Sequence, residues 1–377
     1  MNEINKKDVL EYSEDELKLM SKNDLEILLK EAENKESLYN TKQSVNKLLM
    51  NSLYGALGQR YFNLFNEDIA AAITGNGRYF IQKLANYIEE KLQTMLPQNK
   101  KYIVYGDTDS VYYHIEPFMN LYQNKNPDLS INQYVDWADN FEKKVIQPCI
   151  KDCISDFANE LNAYNKDVIG AEREIISDSA VFTAKKKYYA RVRDSEGTRY
   201  PETDPYIKVM GLEIIKSSTP NWSKKKLKEA IPHILDKDET NLKNWINTIK
   251  QEFINVPLID IAHSGGVSNL DFKLDDKGVP IGVRAALIHN KYIKDNKIEE
   301  KFSPINPGDK CKRLFLKEPN PFNSNIIAFT NDSFVNEVKD YIDFDTNFDK
   351  QFLSALKLMV NSLEYNLDKE TQLLDDW

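Results

Sequence analysis

The sequence predicts an α+β protein. Three observations carry that expectation: apolar residues recur at helical spacing up to about residue 59, strands and helices alternate from about 60 to 211, and a mainly helical pattern runs from about 212 to 377. A chain of 377 residues is long enough for two or three domains with cores of their own. Its 41% apolar and 29% charged residues fit a globular protein with neither a disordered nor a membrane bias. No apolar run approaches the roughly 20 residues that span a bilayer. The first residues, Met1-Asn2-Glu3-Ile4-Asn5-Lys6-Lys7, hold no apolar signal core. No membrane association and a cytoplasmic location are expected.

In the first segment, Leu17, Leu25, Leu28 and Leu29 form an apolar stripe. A helix is expected from near Thr41 through Lys47-Leu48-Leu49-Met50-Asn51-Ser52-Leu53-Tyr54-Gly55-Ala56-Leu57-Gly58. Lys47, Asn51 and Tyr54 stand at i, i+4 and i+7, so they share one face. Leu49, Leu53 and Ala56 face elsewhere and read as packing. A cation, an amide and an aromatic in a row suit a face laid against a nucleotide. Lys47 can neutralise phosphate, Tyr54 can pack on a base or sugar, and Gly55 lets a base pair approach the backbone. The same residues also read as an amphipathic surface helix with a solvated lysine.

In the second segment, Ile69-Ala70-Ala71-Ala72-Ile73-Thr74 leads into a helix through Leu92, with Ile81, Leu84, Ile88 and Leu92 on one face. Next, Tyr102-Ile103-Val104-Tyr105 and Val111-Tyr112-Tyr113-His114-Ile115 read as two strands, with Gly106-Asp107-Thr108-Asp109 as the turn of a hairpin. Asp107 and Asp109 at the end of a sheet are two hard anionic ligands, the kind that suit Mg²⁺ and phosphate chemistry. They equally fit an Asp-rich turn capped by side-chain-to-backbone hydrogen bonds. A helical stretch over 131–162, kinked at Pro148, and strand-like runs over 181–192 and 206–213 complete the segment. Alternation along a single strand over 181–192 would put Lys185 and Lys187 on one face and Lys186 with Tyr188 on the other.

In the third segment, Pro220-Asn221-Trp222-Ser223 signals a helix start, and Lys224-Lys225-Lys226 with Lys228 opens that helix. A short β insert is expected around Lys312-Arg313-Leu314-Phe315-Leu316. The chain carries 50 Lys and Arg against 59 Asp and Glu, a net charge of −9. Any binding of nucleic acid must then be local rather than driven by overall charge. Cys149, Cys153 and Cys311 form no metal-ligand pattern and read as free, reduced thiols.

Together the Lys47–Gly58 helix and the Tyr105-Gly106-Asp107-Thr108-Asp109-Ser110 turn resemble motif B and motif C of family B DNA polymerases, in particular those of T-even-type phages. Ala171-Glu172-Arg173-Glu174-Ile175-Ile176, Ala184-Lys185-Lys186-Lys187-Tyr188-Tyr189-Ala190, Met210-Gly211-Leu212-Glu213 with Ser217-Ser218-Thr219-Pro220, and Glu318-Pro319-Asn320-Pro321-Phe322 resemble further segments of that family. Glu172, Lys187 and Pro319 depart from its usual Asp, Arg and Gly. Pro280-Ile281-Gly282-Val283-Arg284-Ala285-Ala286 matches its pattern only in part.

The resemblance implies a right-hand architecture with 1–59 as the C-terminal part of the fingers, 60–211 as an antiparallel-sheet palm and 212–377 as a mainly helical thumb. The N-terminal and exonuclease domains of the family are absent. The implied activity is two-metal transfer of dNTPs to a primer 3′-end. In it Asp109 binds both Mg²⁺ ions, Asp107, Lys186 and Glu174 tune the site, and Lys47, Asn51, Tyr54 and Gly55 receive the nucleotide. Primer–template DNA would meet Lys185, Lys187, Tyr188, Lys224 and Lys225. The tail Thr371-Gln372-Leu373-Leu374-Asp375-Asp376-Trp377 resembles one that docks on a sliding clamp, with Leu373, Leu374 and Trp377 as anchors. The family's motif A aspartate has no counterpart: around Ser37-Leu38-Tyr39 the corresponding position is Asn34. The chain is therefore expected to be the C-terminal subunit of a split polymerase, starting at its own Met1. A partner chain with the exonuclease domain and motif A would complete the metal site. The alternatives are a non-catalytic remnant that binds primer–template and clamp, or a sugar-nucleotide transferase using the Asp-x-Asp turn, in which the Lys47–Gly55 face would have no purpose.

Overall fold

The structure, a computed structural model, describes residues 8–166 and 168–367. It is an α+β chain that divides into two compact units: residues up to 84 with 108–110, and residues 85–107 with 111 onward. Leu373, Leu374 and Trp377 lie outside the described residues.

The first unit is helical. Helix α1 (Glu14–Lys18) is closed by a capping box in which Ser13 and Glu16 satisfy each other's backbone N–H groups. Helix α2 (Lys22–Leu57) begins on Ser21, whose hydroxyl accepts the Asp24 N–H, and ends on Gly58. The expected start near Thr41 is thus nineteen residues late. Nothing in 22–41 breaks a helix, and the Ser21–Asp24 cap is the first start signal upstream. Ser37-Leu38-Tyr39 consequently lies in mid-helix. No residue of α2 is buried. Helix α3 (Glu67–Met95) follows, and the expected stripe is its inner face: Leu84, Ile88 and Leu92 are buried.

In the second unit, strands β1 (Ile103–Asp107) and β2 (Ser110–Tyr113) form a two-stranded sheet. Buried Tyr102 bonds the Leu96 carbonyl and packs its ring on His114 and Phe118. Helix α4 (Glu116–Gln123) leads to α5 (Ile131–Phe141) and α6 (Gln147–Glu160). The predicted kink is a π-helical turn at Glu142–Ile146, directly before Pro148. Proline has no N–H to donate and crowds the carbonyl four residues back, so the backbone widens there.

Strand β4 (Lys187–Ser195) pairs antiparallel with β3 (Ile175–Ala184), and on its other edge with β5 (Thr198–Arg199) and β6 (Tyr206–Met210). The run over 181–192 is therefore not one strand. It is the middle of a hairpin that reverses at Lys185-Lys186, with Phe182 opposite Tyr188. Lys-Lys is not a residue pair that signals such a turn, so the apolar alternation on either side read straight through it. Ion pairs brace this sheet: nearly buried Asp194 meets Arg173 and Arg199, and Asp178 meets Arg191 and Arg193.

Beyond residue 212 come α7 (Asn221–Leu235), α8 (Glu239–Phe253), α9 (Leu258–Ile261), β7 (His263–Gly266), α10 (Ile281–Asp295), β8 (Lys310–Phe315), β9 (Ile326–Phe329), α11 (Val335–Val338), α12 (Phe344–Phe348) and α13 (Ser354–Val360). The expected β insert is the middle strand of a three-stranded sheet, β7–β8–β9. One large core joins these helices to Val181 and Tyr189 of the β3–β4 hairpin. Partly buried Trp222 packs against the buried rings of Phe253 and Phe352, and truncating one such buried ring costs about 3–5 kcal/mol. All three cysteines are buried and form no disulfide.

Candidate active site

The Asp-x-Asp turn is tighter than expected. Gly106 and Asp107 belong to β1, and Thr108-Asp109 alone make the reversal, with Thr108 in the left-handed region at φ 45°. Asp107 ends the strand, while Asp109 lies exposed in the turn.

A second hairpin turn holds Asp107. Lys186 Nζ lies 3.0 Å from Asp107 Oδ2, and the Lys186 backbone N–H donates to the Tyr105 hydroxyl at 2.8 Å. Lys186 is itself left-handed, at φ 62°. Its carbonyl leaves no room for a side chain at Gly211: a Cβ there would stand 2.0 Å from that oxygen. Gly211 also has φ 66°, which an L side chain tolerates poorly. Below the turn, Tyr105 stacks on Phe182, with Tyr112 and Tyr188 against them. The Tyr112 and Tyr188 hydroxyls share a hydrogen bond of 2.7 Å. Burial first, and then that bond, push the Tyr112 hydroxyl far above its ordinary value, so it stays neutral.

Tyr105, Phe182 and Gly211 shape this clamp, and sequence reasoning passed over them as flanking pattern. The available signal was a glycine directly after a strand, Met210-Gly211, which often marks a close backbone approach.

The remaining predicted residues are spread more widely. Tyr188 is buried in the aromatic cluster, so it supports the turn instead of offering a ring to DNA. Lys185 is exposed and Lys187 partly so, with Lys185 beside Lys186 in the turn and Lys187 opening β4. The predicted alternation of the three lysines does not hold, because 185 and 186 are turn residues. Glu174 is ion-paired with Lys208, while Arg173 turns to Asp139 and Asp194. On α7, Lys225 is exposed and Lys224 partly exposed. Lys226 is instead held by Glu229 and Glu252.

In the first unit, Lys47, Asn51, Tyr54 and Gly55 all lie exposed along α2. Nothing stands within 4 Å of where a Gly55 Cβ would be, so the backbone is open to an approaching planar group. The opposite side of the helix carries Leu38, Val45, Leu49 and Leu53 at intervals of 7, 4 and 4, each between 48% and 64% exposed.

The carboxylate donors are of the hard type Mg²⁺ prefers, but they are few. Among the described residues no three acidic, histidine or cysteine side chains gather as a metal-binding group. The residues fit part of a metal site and leave further oxygen ligands to come from elsewhere.

An aspartate held by a lysine from a second hairpin turn, on an α+β scaffold, is compatible with phosphoryl transfer without singling it out. Comparison with known proteins narrows this. The family model for DNA polymerase family B matches residues 18–125. The chain is 30% identical to the DNA-directed DNA polymerase of Escherichia phage RB69, over 96% of this chain and 41% of that protein. It is 30% identical to that of Enterobacteria phage T4, over 97% of this chain and 42% of that protein. A DNA polymerase of Paramecium bursaria Chlorella virus NY2A is 28% identical over 55% of this chain. Residues 18–125 thus match DNA polymerase family B, and nearly the whole chain is similar to the T-even-type phage polymerases. It spans about two fifths of the length of those two phage relatives.

Proposed function

We propose that the chain is the C-terminal part, from motif B to thumb, of a DNA-directed DNA polymerase that adds dNTPs to a primer 3′-end. The observation that carries this reading is the clamp between Lys186 and Asp107, locked by the Tyr105 hydroxyl. A turn that merely reverses the chain has no need of a lysine from a second hairpin.

In this reading Lys186 fixes the orientation of the Asp107 carboxylate. Asp109, exposed at the tip, is the principal metal ligand. Mg²⁺, when bound, supplies charge neutralisation for the triphosphate and for the attacking 3′-oxygen. Lys47 pairs with the triphosphate, and Asn51, Tyr54 and Gly55 wall the nascent base pair. Primer–template DNA runs along Lys185, Lys187, Lys224 and Lys225, with residues from 212 onward acting as thumb. The Leu373–Trp377 tail would engage a sliding clamp.

Two carboxylates are too few for two bridged ions about 3.5–4 Å apart. The missing ligand is assigned to polypeptide that carries motif A and the exonuclease domain, as a partner chain. The uncovered apolar stripe Leu38–Val45–Leu49–Leu53 supports such a partner.

The deciding experiment is primer extension with Mg²⁺, by the chain alone and with co-expressed candidate partners, using Asp109→Ala as control. Extension only with the partner, lost in the variant, is expected. Extension by the wild-type chain alone would overturn the need for a partner. No extension with any motif A partner would favour a non-catalytic DNA-binding remnant.

A further inference from the structure

The face of β8 bearing Cys311 and Phe315 packs beneath α10 in a small apolar cluster with Val283, Ala286 and Ala328. Arg313 stands on that same face, between them. The sheet register sets it beside His263 of β7 and Ala328 of β9. Its Nη2 lies 2.7 Å from His263 Nδ1. A guanidinium can only donate, so Nδ1 accepts and the imidazole is neutral, with its proton on Nε2. Two glycines make room for the guanidinium. A Cβ on Gly282, in the first turn of α10, would stand 2.6 Å from Nη1, and one on Gly265 would stand 3.3 Å from Nη2.

Burial pulls Arg313 below its ordinary value, yet an arginine keeps its proton. Glu213 stands near its imidazole partner, and that carboxylate is taken by Lys216 at 2.6 Å. The result is a fixed, planar, partly exposed cation, walled by backbone and backed by a neutral ring that has an N–H of its own to offer. That donor set matches a tetrahedral oxyanion with several acceptor oxygens.

We propose that Arg313 and His263, in the cradle between Gly265 and Gly282, form a phosphate-binding site. The phosphate is either a phosphodiester of duplex DNA or a free anion. The DNA source rests on the polymerase reading; the free-anion source does not.

The test uses the whole chain, with Arg313→Gln and Gly282→Ala. Circular dichroism and melting identify folded variants, and Gly282→Ala decides alone if Arg313→Gln does not fold, since it keeps the charge and only displaces it. Two quantities are measured: thermal stabilisation by inorganic phosphate against chloride of equal ionic strength, and anisotropy of labelled duplex DNA over about 50–200 mM salt. Wild-type stabilisation by phosphate that both variants lose is expected. If DNA is the source, the slope of log affinity against log salt falls by about one in Arg313→Gln. A phosphate effect without a slope change assigns the site to a free anion. Folded variants that match wild type in both measurements overturn the proposal. If the wild-type chain binds no duplex at all, the polymerase reading fails, and the phosphate arm by itself decides the site.

Discussion

The Lys186 turn concentrates more constraints on fewer atoms than any other feature of the site. Its backbone N–H is spoken for by Tyr105, its amine by Asp107, and its carbonyl by the bare Cα of Gly211. A methyl group at Gly211 meets backbone, which cannot swing aside, and it also meets a positive φ. Gly197 has a positive φ too, 91°, but open space around it. Both Gly→Ala substitutions pay the left-handed strain of about 1–2 kcal/mol, and only Gly211→Ala adds a collision. Urea unfolding should therefore show the larger loss for Gly211→Ala. Equal losses would mean that the turn can shift without cost, and the positioning role of Gly211 would go with it. The second test at this scale concerns Lys47, exposed on α2. Removing a charge-assisted partner of the triphosphate costs about 1.5–3 kcal/mol, so Lys47→Ala should lower kcat/KM for dNTP by about 10- to 100-fold in the assembled enzyme. Unchanged steady-state kinetics would reject the role. Asp107, Asp109 and Lys47 could be singled out as candidates from the sequence because the chemistry proposed for them is carried by residue type and spacing. Tyr105 and Gly211 could not, because Tyr105 meets Lys186, 81 residues away, only once the two hairpins come together, and Gly211 acts through the absence of a side chain.

Elements with strong periodicity were legible, and those defined by a turn were not. Helix α3 buries the stripe its sequence predicts, and β1–β2 forms the predicted hairpin. The β3–β4 reversal was hidden because two lysines carry none of the usual turn chemistry. Helix α2 starts earlier than its C-terminal half suggests, because the Ser21 cap lies far upstream of the polar row Lys47, Asn51 and Tyr54. Helix α10 carries a feature no pattern announces: His289, on its inner face, is buried at 1% exposure, with Nε2 3.3 Å from the Ser303 carbonyl and its ring 4.7 Å from that of Phe334. Burial holds its pKa below the ordinary value. The unfolded chain protonates this histidine near the ordinary imidazole value of about 6.5, while the folded chain resists until lower pH. Its contribution is therefore complete above the unfolded value and is lost as pH falls through the folded one. Unfolding free energy measured from pH 7 downward should decline, and His289→Gln should flatten that decline. A variant with the wild-type pH slope would show that another group, such as half-buried His263, carries the dependence.

Across the whole chain, stability is unevenly distributed. The second unit holds the large core that runs from Tyr189 through Leu227, Leu242 and Phe253 to Leu356. In the first unit, the buried residues among those described are Ala70 and Leu84, both on α3, while the 36 residues of α2 bury none. A helix of that length has good hydrogen bonding but little packing to hold it, and helices draw most of their stability from a buried apolar face. The α+β class follows from the sequence at this scale; the missing core of α2 does not, because its apolar stripe looks like any stripe that will be covered. Hydrogen exchange of the chain alone should accordingly find α2 opening at a small fraction of the free energy needed to expose α7 and α8. Binding of a motif A partner over Leu38, Val45, Leu49 and Leu53 should raise protection in α2 by an amount set by partner concentration over its Kd, and leave α7 and α8 unchanged. Polar substitutions at Val45 and Leu49 should abolish that gain without lowering the melting temperature of the chain alone, since those side chains contribute nothing to its own core. Slow exchange of α2 in the isolated chain, or a partner that protects the Lys47 face and not the apolar one, would place the docking surface elsewhere.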